Sequence, residues 1–99
     1  MKFHQALGIV IAQEREFRSL RMRDVSQTGA VSIGHLSEIE RGIKEASSSV
    51  IEGIAKALGV STSYLVIEAG YLMGVSEVPD TIEDFIDEYP ASANPSPVS

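Results

Sequence analysis

Residues 22–42 read MRDVSQTGAVSIGHLSEIERG, and their spacing decides the fold. Met22 and Val25 mark the inner side of a short helix over about 22–28, and the small Ser26 permits close packing. Gly29-Ala30 then breaks that helix. Ser32 is an N-cap for a second short helix whose buried face is Leu36 and Ile39. Gly42 ends it, at a place where a left-handed residue favours glycine. Two short helices joined by a compact turn are what a helix-turn-helix requires. The later apolar positions dock the second helix, and its outer face stays free.

Working outward, the rest of the chain also reads as helix. Phe3, Leu7, Val10, Ile11 and Phe17 recur at three- and four-residue steps, predicting an apolar stripe from about 3 to 17. Downstream, Ser49-Val50-Ile51-Glu52 forms a capping box. Val50, Ile51, Ile54, Ala55 and Leu58 follow as the inner face of a fourth helix, which Gly59 closes. Ser61 opens a fifth, expected to bury Leu65, Val66 and Ala69 and to end near Gly70. No segment alternates with period two over a convincing length, so the expected class is all-α with five helices.

The composition changes after about residue 73. Residues 1–73 are read as one domain and 74–99 as an acidic tail. Asp80-Thr81-Ile82-Glu83 is another capping box, predicting a short amphipathic helix over about 80–89. Its stripe is Ile82, Phe85, Ile86 and Tyr89, and Pro90 stops it. The end, ASANPSPVS, is expected to be disordered. The stripe either folds back on its own core or packs against a second subunit. Dimer contact is the reading adopted.

Net charge is −6, which argues against bulk attraction to nucleic acid, but the charge is unevenly distributed. Residues 1–44 hold seven basic and five acidic residues, whereas 75–99 hold six acidic and no basic ones. The front of the chain is therefore mildly basic. The absence of cysteine rules out disulfides and thiolate metal sites and fits a reducing cytoplasm. The apolar patch from Ala6 to Ala12 is too short to span a bilayer and lacks a cleavage site, so neither a signal peptide nor a membrane partner is expected.

Together with IAKALGVSTSYL at 54–65, the stretch MRDVSQTGAVSIGHLSEIERG resembles the Xre family of helix-turn-helix regulators, the group of the phage Cro and cI repressors. The combination of RDVS, VSIGHLSEIERG and KEASSS is most similar to actinobacterial regulators of Clp protease genes. The resemblance runs from about Leu7 to Leu72. It implies a cytoplasmic, nucleoid-associated dimer that binds a palindromic operator in double-stranded DNA. An activator of protease or proteostasis genes is the first reading. A phage-like repressor, an antitoxin and a restriction-modification controller remain open.

Carried onto this chain, the base-reading positions are Ser32, Ile33, Gly34, Ser37 and Glu38. Serine donates or accepts, isoleucine packs on a thymine methyl, and glutamate accepts from a cytosine amino group. Gly34 has no side chain and allows close approach. Phosphate anchoring falls to Arg21, Arg23, Arg41 and Lys44. The family also implies that Glu40 pairs with an arginine of helix one, here Arg15. Three positions depart from the family pattern. Arg21 stands where a polar cap is common, and Met22 where a glutamine contacts phosphate. Ala30 replaces a turn glycine, so that a turn shifted by one residue is one reading.

An enzyme is not expected. Ser32, His35 and Glu38 lie on one helix and form neither a pocket nor an oxyanion hole. Two histidines without cysteine make no metal site, and no cofactor or small-molecule effector is evident. The rival of another class is a protein-interaction module that does not bind DNA, since fold alone does not fix function.

Overall fold

The computed structural model describes residues 1–77, with side chains through Gly74. The described residues form five helices and no strand: α1 Phe3–Phe17, α2 Met22–Gly29, α3 Ile33–Glu40, α4 Ser48–Leu58 and α5 Thr62–Glu77. The expected helix at 80–89, with Ile82, Phe85, Ile86 and Tyr89, lies outside the described residues.

One core joins all five. It contains Leu7, Val10 and Ile11 of α1, Val25 of α2, Leu36 and Ile39 of α3, Ile51, Ile54 and Leu58 of α4, and Leu65 and Ala69 of α5. Its largest side chains are less than 2% exposed, so burial of apolar surface is the main stabilising term. α1 packs on α3 and α5, while α2 packs on α4.

Glycines set two of these approaches. A Cβ on Gly8 would meet the Ile39 carbonyl oxygen at 2.2 Å, so α3 rests directly on the backbone of α1. Gly29 and Gly53 face one another where α2 meets α4. A Cβ on Gly53 would lie 2.3 Å from the Gly29 oxygen. The small residue at the α2–α4 contact is therefore Gly29. Ser26 closes the turn instead, its hydroxyl donating to the Val31 carbonyl.

Four helices end in the same way. A left-handed residue follows each of α1 to α4: Ser19 (φ 56°), Ala30 (φ 56°), Gly42 (φ 72°) and Gly59 (φ 76°). The next amide reaches back each time, from Leu20 to Arg15, Val31 to Ser26, Ile43 to Glu38 and Val60 to Ala55, at 2.9–3.1 Å. This is the Schellman closure, which satisfies carbonyls left over at the helix end. Ala30 itself takes the left-handed conformation, so the turn is not shifted.

Several expectations need correction. Phe3 is 39% exposed and Phe17 is 84% exposed, with the Arg18 guanidinium 5.9 Å from the centre of the Phe17 ring. The stripe of α1 is therefore shorter than the periodicity predicts. Val66 is 42% exposed rather than buried. The cap of α4 is Ser47, whose Oγ accepts from the Val50 N–H at 3.3 Å. Ser49 lies inside the first turn and hydrogen bonds to Ser47. α5 continues to Glu77, past the expected end at Gly70 and across residues 73–74.

Candidate nucleic-acid interface

The candidate interface is built around α3. Ser32 caps it, with Oγ accepting the His35 N–H at 3.0 Å. Its hydroxyl proton remains available to donate outward. Leu36 and Ile39 are 0% and 1% exposed and fix the helix to the core. That anchoring leaves Ile33 (49% exposed) and Gly34 open to solvent, with Ser37 and Glu38 half-buried beside them. At about 100° per residue these four share one side of the helix. The sequence-predicted readers therefore fall together on one outward face, with the cap residue Ser32 at its start.

Glu40 takes a different direction. It faces α1, where Arg15 donates from Nε to Oε2 at 2.7 Å and from Nη2 to Oε1 at 3.0 Å. The two side chains are 15% and 9% exposed. The third nitrogen, Nη1, donates to the Leu20 carbonyl at 3.0 Å. One guanidinium thus ties the end of α3 and the α1–α2 loop to α1. Paired fork geometry of this kind is the strong form of a charge-assisted contact. The Glu40 hydrogen bond holds the Arg15 pKa above its ordinary value, against the opposing effect of burial. The carboxylate is thereby balanced within the pair and faces α1.

The basic positions differ from one another. Arg41 is the C-cap of α3 and is exposed, its Nε donating weakly to the Ser37 carbonyl at 3.4 Å. Lys44 is exposed in the following loop. Its amide and that of Ile43 both donate to the Glu38 carbonyl, at 3.4 and 2.9 Å. Arg23 is exposed in the first turn of α2 and, like Lys44, makes no ion pair among the described residues. Arg21 is not free in the same sense. Its backbone N–H donates to Asp24 Oδ2 at 2.8 Å, and its Nε lies 3.6 Å from the same oxygen. The Arg21 N–H, more than the charge nearby, pulls the Asp24 pKa below its usual value. A carboxylate therefore already sits at the N-terminus of α2, where an anion would otherwise bind.

Sequence reading missed that competition, although Asp24 three residues after the cap was the signal for it. It also missed Gly8, whose missing side chain sets how closely α3 lies on α1. A further brace is Glu14, which accepts from Arg18 and from the Tyr64 hydroxyl at 2.8 Å, joining α1 to α5. Burial by itself would raise the Glu14 pKa. The hydrogen bonds from Arg18 and Tyr64 outweigh it and leave the pKa lowered.

The sequence profile of the family described as Helix-turn-helix matches residues 11–65, from the buried Ile11 of α1 to the buried Leu65 of α5. The chain belongs to this family. It is 40% identical over 73 residues to the transcriptional regulator ClgR of Mycobacterium tuberculosis, covering 74% of this chain and 65% of that protein. It is 39% identical over 77 residues to an uncharacterized HTH-type transcriptional regulator of the same organism, covering 76% of this chain and 55% of that one. The chain thus spans less than two-thirds of the length of these relatives. Its fold is similar to the crystal structure of the clp gene regulator ClgR from Corynebacterium glutamicum. The TM-score is 0.73 at 33% identity, over 86% of this chain and 87% of that one. Within the helix-turn-helix unit, α2 and α3 are the two helices and Ala30–Ser32 the turn. No single helix among the described residues is long and apolar enough to cross a membrane.

Proposed function

We propose that this chain is a sequence-specific double-stranded DNA-binding transcription regulator that places α3 in the major groove. The observation that carries this reading is the division of α3 into two faces. Leu36 and Ile39 lock one face to the core, and the other carries the exposed Ile33 and Gly34 with Ser37 and Glu38 half-buried beside them. In the groove, Ile33 meets a thymine methyl, Ser32 and Ser37 exchange hydrogen bonds with base edges, and Glu38 accepts from a cytosine amino group. Arg23, Arg41 and Lys44 hold phosphates at the edges. Arg21 joins them once a phosphate displaces Asp24 from its guanidinium.

So few cationic contacts give one subunit modest affinity, and a homodimer on a palindromic operator doubles them. α5 supports that assembly. Tyr64, Ile67 and Tyr71 recur at helical spacing and are 36%, 65% and 74% exposed. Ile82, Phe85, Ile86 and Tyr89 lie outside the described residues and are proposed, from their spacing in the sequence, as further contacts with a second copy. The named relatives support the target. The Corynebacterium glutamicum protein is a clp gene regulator, so protease and proteostasis genes are the targets assigned here, with activation as the sign.

The test is duplex binding at two salt concentrations, about 50 and 200 mM. A reader held by phosphates loses affinity steeply, at close to one power of salt per contact. Binding that does not change with salt, or no binding to any duplex, overturns the reading in favour of a protein-interaction module.

A further inference from the structure

Most glycines in the described residues are required by the fold. Gly8, Gly29 and Gly53 lie where a Cβ would strike backbone, and Gly42 and Gly59 have positive φ. Gly34 meets neither condition. A Cβ built on it has nothing within 4 Å, and its φ is ordinary. Gly70 of α5, on that helix's exposed side, is another such residue.

Glycine is among the poorest helix formers, and α3 has only eight residues over which to offset that weakness. The fold would accept alanine at position 34 and gain from it. Packing and backbone conformation within the described residues thus give no reason for a glycine at position 34. Helical geometry shows where it acts. Ser37 and Gly34 lie along the middle of the exposed face, with Ile33 on one flank and Glu38 on the other, about 140° apart. The part of α3 that points most directly outward is thus its smallest.

We infer that Gly34 is the point of closest approach between α3 and DNA, and that its missing side chain sets how deeply the helix seats in the groove. This rests on the proposed DNA reading. The backbone at 34 packs directly on the base edges, which brings Ile33 and Glu38 down onto the base pairs at either side. A methyl group at this position lifts the helix, and both flanking side chains then fall short. Gly34 acts as a specificity determinant without making a hydrogen bond.

The experiment compares the full chain with its Gly34→Ala variant. The probes are the duplex that the unmodified chain enriches from a random-sequence pool and an unrelated duplex of equal length. Gly34→Ala is expected to raise Tm by about 4–8 °C, as relief of a glycine in a small domain should. Its affinity for the enriched duplex is expected to fall at least about tenfold, as loss of a base contact does. Affinity for the unrelated duplex falls less. Equal binding of the enriched duplex by both proteins overturns the inference while leaving the DNA reading intact. A lower Tm also overturns it, because the fold itself would then need the glycine. Failure of the unmodified chain to enrich any duplex overturns the DNA reading and the inference with it.

Discussion

Arg15 grips Glu40 through two parallel hydrogen bonds across 25 residues of sequence, and both side chains are largely removed from water. The pair fixes the last turn of α3 against α1. It also turns one of the helix's two glutamates inward, so that only Glu38 remains on the outward face. Glu40→Gln removes the charge and keeps the shape. It leaves the Arg15 guanidinium half-buried without its counter-charge, a class of change that costs about 3–5 kcal/mol when burial is complete. With part of the pair still solvated, a loss of about 2 kcal/mol is expected in urea unfolding. An unchanged midpoint would show that the pair contributes no more than a surface bridge.

Gly8 presses against the carbonyl end of the same helix. Gly8→Ala places a methyl group about 2.2 Å from the Ile39 oxygen, which is impossible without movement of backbone. Overpacking of this kind costs about 1–3 kcal/mol, more than the gain of about 1 kcal/mol from better helix propensity. Tm is therefore expected to fall. Gly34→Ala, the same substitution on the open side of α3, is expected to move Tm the other way. Thermal unfolding of the two variants side by side checks the contrast.

Ala30 holds a left-handed conformation that costs an L-residue about 1–2 kcal/mol. Its side chain is exposed, so Ala30→Gly loses no packing. Set against the roughly 0.4–1 kcal/mol that glycine adds to the freedom of the unfolded chain, the variant is expected to gain about 0.5–1 kcal/mol. Equilibrium denaturation measures this directly.

Glu14 gives the domain an acid sensitivity. Its pKa is lowered in the folded chain because the hydrogen bonds from Arg18 and Tyr64 outweigh burial. A carboxylate with a depressed folded pKa contributes stability above its unfolded value and loses it as pH falls through the folded one. Glu14→Gln is therefore expected to be less stable than the parent by about 1 kcal/mol at neutral pH. The gap closes once the solution is acidic enough to protonate the parent's carboxyl. Chemical denaturation at about pH 7 and about pH 3 follows the difference.

The helix-turn-helix was legible because its signals are local. Val25, Leu36 and Ile39 mark the buried side at helical spacing, and Ser32 and Gly42 mark the ends of α3. What the sequence hid depends on neighbours far along the chain. Phe17 reads as part of the α1 stripe, but at the last position of that helix it is 84% exposed and faces water. Val66 belongs to an apolar run on α5, and periodicity alone does not say which side of such a run turns inward. The positions around Ser47 offer three serines in a row, any of which has the chemistry of a cap. The roles of Gly8 and Gly53 appear only when two helices are brought together. Gly34 is the reverse case, since folding explains Gly8, Gly29, Gly42, Gly53 and Gly59 and leaves Gly34, like Gly70, without a structural reason.

The outward face of α3 is proposed to select DNA sequence. The direct measurement is enrichment from a random duplex pool by the full chain and by its Ile33→Ala, Ser37→Ala and Glu38→Ala variants. The unmodified chain is expected to enrich a two-fold symmetric motif. Each variant should relax the preference at its own base pair in each half-site, by about 1–3 kcal/mol, with Glu38→Ala losing a cytosine. The same motif with the same strength from all four proteins would contradict it.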